Sequence, residues 1–303
     1  MKNLISMREL NRDEILDIIR IIGKIERDEI KPNMERKIAA LLFFEPSTRT
    51  HLSFDTAMKR MGGQTITMQG TKTSSVKKGE SFADTLMTIS QYADIIVIRT
   101  AIEGGARFAA ETVDIPVVNA GDGANQHPSQ ALLDLYSIMK TQKTLDNLSI
   151  GVVGDLKFGR TVHSLVHSLS DFSPKFYFSS PHHLKMPDYI LEDLKAKDVY
   201  YEENDNVEKN IDKLDIMYVT RIQKERFADP EDYQKVKDSY IIDKKLIKGH
   251  NLRNNFRIMH PLPRVNEINT DVDRTKYAYY FQQAKNGVYT REAIISILLG
   301  GLE

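Results

Sequence analysis

Short apolar runs alternate with amphipathic segments along almost the whole chain, the pattern of strands followed by helices. The clearest unit is residues 37–61, KIAALLFFEPSTRTHLSFDTAMKRM. An apolar run at 38–44 meets a polar turn, Glu45-Pro46-Ser47-Thr48-Arg49-Thr50. An amphipathic segment follows with Leu52, Ala57, Met58 and Met61 as its apolar positions, and Gly62-Gly63 ends it. This predicts a buried strand, a tight loop and a helix start. The first N–H groups of a helix have no partner within it, so with the helix dipole they attract anions. The same turn adds the hydroxyls of Ser47, Thr48 and Thr50 and the guanidinium of Arg49. An ordinary Ser/Thr cap beside a surface arginine is the alternative. The density of donors favours an anion site, and a phosphate dianion suits it best.

The remainder repeats this unit. Asn11-Arg12-Asp13-Glu14 reads as a capping box ahead of a helix whose inner face is Ile15, Ile18, Ile19 and Ile22. Strands are predicted at 64–69, 95–99 and 116–119, with helices at 80–92 and 106–112. The polar segment 71–79 has no periodicity. The glycine-rich AGDGANQ leads to a helix opening at Pro128. A second series starts at 150–153 and continues with the turn GDLKFGR, a helix at 161–169, a strand at 175–178, a helix at 188–197, and strands at 199–202, 216–219 and 257–259. The last strand ends in HPLPR. The tail, 277–299, reads as helical with an interruption near Gly287.

Such alternation predicts an α/β fold of two domains, each a parallel sheet flanked by helices. The expected division is 1–140 and 141–284, with the final helix, 285–303, packing back on the first domain. A length of 303 residues agrees with two cores. Basic and acidic residues balance at 42 each, so no overall field draws in nucleic acid or an anionic membrane. The absence of cysteine removes disulfides and thiolate chemistry. No apolar stretch reaches the roughly 20 residues of a membrane span. The N-terminus is charged and unlike a signal peptide. A soluble cytoplasmic protein is expected.

Ligands of open parallel sheets bind beyond the carboxyl ends of the strands. The loops there carry Ser47 to Thr50, then Ser74, Ser75, Lys77 and Lys78, then Arg99, His127 with Gln130, Arg160, Arg221 with Gln223, and His260 with Arg264. Cations and hydrogen-bond donors dominate, and no pair of acids stands out as a catalytic dyad or a metal cage. His163 and His167 share a helix face but lack the glutamate of a zinc-protease motif. The pocket is therefore expected to take substrates with several negative charges, and to act by positioning and electrostatics without a cofactor or metal. His127 opens a helix, where it is expected to stay neutral and polarise a carbonyl oxygen. A purely structural cap histidine fits its position equally well.

The segments FFEPSTRTHLSF, SSVKKGESFADT, GDGANQHPSQALLDLY, GDLKFGRTVHSL, TRIQKER and HPLPR, in that order, closely resemble the catalytic chains of the aspartate carbamoyltransferase family. STRT with HPxQ is shared by carbamoyltransferases in general. GRTVHS, TRxQxER and HPLPR select the aspartate branch. The resemblance implies that Ser47, Thr48, Arg49 and Thr50 hold the phosphate of carbamoyl phosphate. Thr50, Arg99 and His127 would converge on its carbonyl oxygen. Gln130 and the HPLP segment, with Pro261, Leu262 and Pro263, would hold the carbamoyl nitrogen. Arg160, Arg221 and Gln223 would take the carboxylates of L-aspartate. Ser74 and Lys78 would come from a neighbouring subunit of a homotrimer, with Lys78 acting in catalysis and in binding aspartate. A regulatory chain forming a larger, allosteric assembly is a possible further partner. The reaction implied is carbamoyl transfer to aspartate, an early step of pyrimidine biosynthesis.

One departure stands out: the family usually continues the arginine at position 99 with His-Pro, and here Thr100-Ala101 follows. An ornithine or other carbamoyltransferase is the nearest alternative. Those enzymes carry a cysteine where this chain reads His260-Pro261-Leu262-Pro263, and the cation of Arg221 fits a second carboxylate better than an ornithine amine. A dinucleotide-dependent oxidoreductase is disfavoured, because Gly151, Gly154 and Gly159 do not form GxGxxG and the next strand ends in Ser179-Ser180 with no acid for a ribose. A non-catalytic scaffold would not need the intact set from Ser47 to Arg264.

Overall fold

The structure, a computed structural model, describes residues 1–70, 79–222, 227, 229–236 and 239–302. The chain forms two compact units, Met1–Tyr136 with Lys285–Glu303, and Ser137–Ala284. Elements run in chain order as α1 (Arg12–Glu26), β1 (Ile38–Phe43), α2 (Thr48–Arg60), β2 (Gln64–Gln69), α3 (Phe82–Ser90), β3 (Ile95–Thr100), α4 (Gly105–Thr112), β4 (Val117–Asp122) and α5 (Pro128–Gln142). There follow β5 (Ser149–Val153), α6 (Arg160–Leu169), β6 (Lys175–Ser179), α7 (Asp188–Ala196), β7 (Tyr200–Asn204) and β8 (Ile216–Val219). The chain ends with α8 (Pro230–Val236), α9 (Lys244–Lys248), β9 (Arg257–Met259) and α10 (Tyr280–Leu299). The first sheet has the order β2-β1-β3-β4 and the second β7-β6-β5-β8-β9, and every ladder within them is parallel. This is the α/β class the alternation implies. The unit division falls inside α5 and inside α10, upstream of the polar segment at 141–147.

Local chemistry accounts for the elements. Asn11 and Glu14 form the reciprocal capping box of α1, and Ile15, Ile18, Ile19 and Ile22 are buried along it. In β1, residues 39–43 are all buried, as expected of a central parallel strand covered on both faces. Three readings need correction. Leu52 is 54 % exposed, because the helical phase of α2 turns Thr50, Phe54, Ala57 and Met58 inward instead. β4 extends through Ala120 and Gly121 to Asp122, which composition assigned to the loop; a register shift between Ile98 and Thr100 lets Thr100 pair with Asp122. Finally, α10 runs unbroken through Gly287. That glycine is a packing residue: a Cβ there would collide with the buried Arg291 guanidinium, whose Nη1 donates to the Gly287 carbonyl at 2.9 Å.

The end of α10 packs within the first unit. Glu292, on this helix, is nearly buried and has Arg60 Nε 3.1 Å away as its ion-pair partner. Burial pushes its carboxyl up to about 7, Arg60 opposing this and Asp28 adding to it. The folded state then binds more protons than the unfolded state between the ordinary glutamate range and pH 7. Stability therefore falls as pH rises through that window. Glu292→Gln is expected to stabilise the chain by about 1–2 kcal/mol at pH 8 and to change little at pH 4, read from urea unfolding midpoints. An equal effect at both pH values would contradict this.

Candidate active site

In the first sheet the chain leaves β1 toward β2 and leaves β3 toward β4, so the strand order reverses between β1 and β3. A crevice outside the carboxyl ends at such a reversal is where parallel sheets bind ligands. Phe43 pairs with Arg99 at this end. Ser47 is the N-cap of α2, with Thr48, Arg49 and Thr50 forming its first turn. Ser47 makes no side-chain capping bond to its own helix, against the ordinary-cap alternative. Thr48 and Arg49 are exposed, and Thr50 is buried. The fold thus sets the predicted phosphate turn beside Arg99.

Arg99 is largely sheltered, its side chain 13 % exposed. Its Nη1 lies 3.4 Å from the Ala120 carbonyl and its Nε 3.5 Å from Glu45 Oε2. The Thr100-Ala101 departure leaves a well-knit loop. The Thr100 hydroxyl accepts from the Ile102 N–H, and the Thr100 carbonyl accepts from the Gly123 N–H. Asp122, at the end of the neighbouring β4, is the hub here. Buried, it accepts from the Gly104 and Gln126 N–H groups and from the side chains of Asn119 and Asn125, at 2.9–3.1 Å. That fixes the approach to His127, which is buried immediately before α5, its Nδ1 3.4 Å from Ser129 Oγ. Gln130, also buried, stands in the first turn of α5 and donates to Asp134 Oδ1 at 2.9 Å.

The second sheet repeats the device. β5 leads to β6 and β7 on one side, and β8 to β9 on the other, so the reversal lies between β5 and β8. Arg160 opens α6 after β5, and Arg221 follows β8. The two loops are tied together: the Asp155 N–H donates to Thr220 Oγ1 at 3.1 Å, and Thr220 Oγ1 donates to the Val153 carbonyl at 3.2 Å. Gly154, at φ 115, permits this approach, since a Cβ there would overlap the Thr220 carbonyl oxygen. Asp155 also accepts from the Phe158 N–H at 2.9 Å and so shapes the turn ahead of Arg160.

After β9, His260 is buried between two partners. Its Nδ1 accepts from the Leu262 N–H at 2.7 Å, so Nε2 carries the proton and donates to Glu267 Oε1 at 2.7 Å. Glu267 Oε2 accepts from the Val265 and Asn266 N–H groups. Burial raises the Glu267 carboxyl, but the bond from His260 and those from the backbone outweigh it and hold the pKa low. This carboxylate therefore shapes the Pro261-Leu262-Pro263 segment. Arg264 pairs bidentately with Asp273, fixing the segment's far end.

Ser74, Ser75, Lys77, Lys78 and Gln223 lie outside the described residues. Sequence reasoning missed the buried carboxylates Asp122, Asp134, Asp155 and Glu267. Their signal was present, each lying inside or just beyond a quoted motif.

Residues 2–140 match the family described as aspartate/ornithine carbamoyltransferase, carbamoyl-P binding domain, and residues 146–298 match its Asp/Orn binding domain. The chain belongs to the aspartate/ornithine carbamoyltransferase family. Within that family it is 52 % identical over 304 residues to the aspartate carbamoyltransferase catalytic subunit of Methanocaldococcus jannaschii, covering 99 % of this chain and 98 % of the relative. The crystal structure of the M. jannaschii aspartate transcarbamoylase catalytic subunit superposes with a TM-score of 0.91 at 51 % identity, over 99 % of this chain and 98 % of that one. Aspartate transcarbamoylase from Trypanosoma cruzi, solved with carbamoyl phosphate and aspartate, gives a TM-score of 0.90 at 35 % identity, over 97 % and 95 % of the two chains. The same protein solved with N-(phosphonacetyl)-L-aspartic acid gives 0.90 at 36 % identity, over 97 % and 94 %. In this carbamoyltransferase fold the donor-rich strand ends fall at the strand-order reversal of each sheet.

Proposed function

We propose that this chain transfers the carbamoyl group of carbamoyl phosphate to the amine of L-aspartate, giving N-carbamoyl-L-aspartate and phosphate. The observation that carries the reading is the uncapped, donor-rich first turn of α2 beside Arg99 in a chain about half identical to aspartate carbamoyltransferase catalytic subunits.

Ser47, Thr48, Arg49 and Thr50 take the phosphate, through the helix N-terminus and a fixed positive charge. Thr50, Arg99 and His127 donate to the carbamoyl oxygen, where negative charge grows as the neutral amine of aspartate attacks the carbonyl carbon. The new C–N bond forms as the C–O bond to phosphate breaks. Phosphate leaves with that electron pair and can take the amine's proton, so the chain itself need supply no strong base. Gln130 accepts from the carbamoyl nitrogen, and the carbonyls of Pro261 and Leu262 are acceptors of the same kind. Arg160 and Arg221, with Gln223, bind the two carboxylates of aspartate. The surplus of cations offsets repulsion between two anionic substrates. For ornithine, Arg221 would face an ammonium instead of a carboxylate, which disfavours that substrate.

N-(phosphonacetyl)-L-aspartate joins the features of both substrates in one molecule. Calorimetry is expected to show it binding far more tightly than either substrate and in competition with carbamoyl phosphate. Absence of binding, or binding unaffected by carbamoyl phosphate, would contradict the reading.

The working unit in this proposal is a cytoplasmic homotrimer with Ser74 and Lys78 contributed by a neighbouring subunit, and a regulatory chain is a further partner. The support is the match of SSVKKGESFADT to the family pattern, together with relatives named as catalytic subunits. Chains carrying Lys78→Ala and chains carrying Arg49→Ala, each nearly inactive, are expected to regain activity when dissociated, mixed and reassembled. Mixtures that stay inactive at every ratio would show that each site is built by one chain. Among the described residues, no helix is long and apolar enough to cross a membrane.

A further inference from the structure

Gln130 and Asp134 stand one helical turn apart on α5, and both side chains are buried. A glutamine amide has a donating end and an accepting end of nearly the same shape. Which end faces the substrate decides whether the site welcomes a donor or an acceptor. Here the Nε2 end lies 2.9 Å from Asp134 Oδ1. An ionised carboxylate only accepts hydrogen bonds, so it holds the donating end of the amide and leaves Oε1 for the ligand.

Asp134 has a buried cation, the Arg291 guanidinium, as its electrostatic partner. Arg291 is itself fixed: it lies over the Phe54 ring, 4.9 Å from its centroid, and donates to the Gly287 carbonyl at 2.9 Å. The missing Cβ of Gly287 leaves room for it. Burial pushes the guanidinium down to about 10, which still leaves it a cation at neutral pH. A cation buried in a core is costly unless an anion serves it.

We propose that Asp134 is a positioning residue, with Arg291 supporting it, that locks the Gln130 amide with its carbonyl oxygen toward the substrate, and that this lock selects acyl phosphates whose acyl group carries N–H donors. The inference rests on the reading that Gln130 meets the carbamoyl nitrogen. Acetyl phosphate is the fitting probe, because it matches carbamoyl phosphate in charge and shape but presents a methyl group in place of NH2. A buried acceptor facing a methyl group is left unpaired, the kind of mismatch by which polar sites reject analogues.

The test is the ratio of affinities for the two acyl phosphates, with inorganic phosphate as a control. In Asp134→Asn the carbonyl of the new amide is drawn toward the Arg291 cation and its NH2 toward Gln130. Gln130 then turns its own NH2 to the substrate. The preference for carbamoyl over acetyl phosphate is expected to fall about tenfold, the scale of one hydrogen bond, while phosphate affinity stays within about twofold. Gln130→Met should lose the same preference, and adding Asp134→Asn to it should change nothing further. An undiminished preference in Asp134→Asn would overturn the proposal. So would a matching loss for phosphate, which would mark a merely structural role. If Gln130→Met itself keeps the preference, Gln130 does not meet the carbamoyl nitrogen and the underlying site reading fails instead. Should Asp134→Asn not fold, side-chain amide NMR of the unmutated chain decides. The Gln130 NH2 protons, assigned by their loss in Gln130→Met, should exchange slowly without any ligand. Rapid exchange there would overturn the lock.

Discussion

Arg221→Gln is expected to reduce kcat/KM for aspartate by a factor corresponding to about 3 kcal/mol or more, with carbamoyl phosphate affinity changed by less than about 1 kcal/mol. The first figure is the scale of removing one partner of a desolvated charge pair. The second is that of a separate site. Arg221 follows β8 in the second unit, whereas the Ser47 to Thr50 turn belongs to the first. The backbone before Arg221 is held by Thr220, whose hydroxyl bonds to the end of β5. The substitution should therefore leave the loop in place and remove only the charge. Glutamine can still donate a hydrogen bond, so what is lost is the cation proposed to offset the second carboxylate. Steady-state kinetics for aspartate, with calorimetry for carbamoyl phosphate, check this. Equal losses for both substrates would mean that Arg221 supports the fold and not the aspartate pocket.

Arg49→Ala is the complementary case. Arg49 is exposed in the first turn of α2, so its removal should leave stability within about 0.5 kcal/mol. The turn keeps its hydroxyls and backbone N–H groups but loses its fixed charge. Loss of a charge-assisted contact to a phosphate dianion is expected to weaken carbamoyl phosphate binding by about 2–3 kcal/mol, and kcat is expected to fall about a hundredfold because the same charge stabilises the leaving phosphate. Arg49→Lys should recover only part of this, since an ammonium lacks the planar fork that grips two phosphate oxygens. Calorimetry with carbamoyl phosphate would contradict the assignment if the alanine variant bound normally.

Much of this was legible in the sequence because the relevant physics is local. A strand of apolar residues, a turn of Ser, Thr and Arg and a helix start are each set within a few residues, and strand-end placement follows from the parallel sheet. The residues that hold the site residues still were harder to see. Asp122 acts through Gly104, and Thr220 through Asp155, pairings that exist only after the strands align. Glycine is a poor helix former, so the sequence predicts a break at Gly287, yet tertiary packing of Arg291 against it overrides that propensity. The outward position of Leu52 has a related cause. With Thr50 buried at the start of α2, the inward face is offset from the one drawn through the most apolar residues. Asp134 could have been suspected: one turn beyond Gln130 in HPSQALLD, a carboxylate amid apolar residues calls for a partner.

The central claim is the identity of the acceptor. The purified chain, incubated with carbon-13-labelled carbamoyl phosphate and an equimolar mixture of L-aspartate and L-ornithine in the presence of a chelator, can be followed by carbon-13 NMR. The expected result is one labelled organic product, N-carbamoyl-L-aspartate, formed with stoichiometric phosphate. Label appearing in the carbamoyl derivative of ornithine, or no transfer to either amine, would contradict the account.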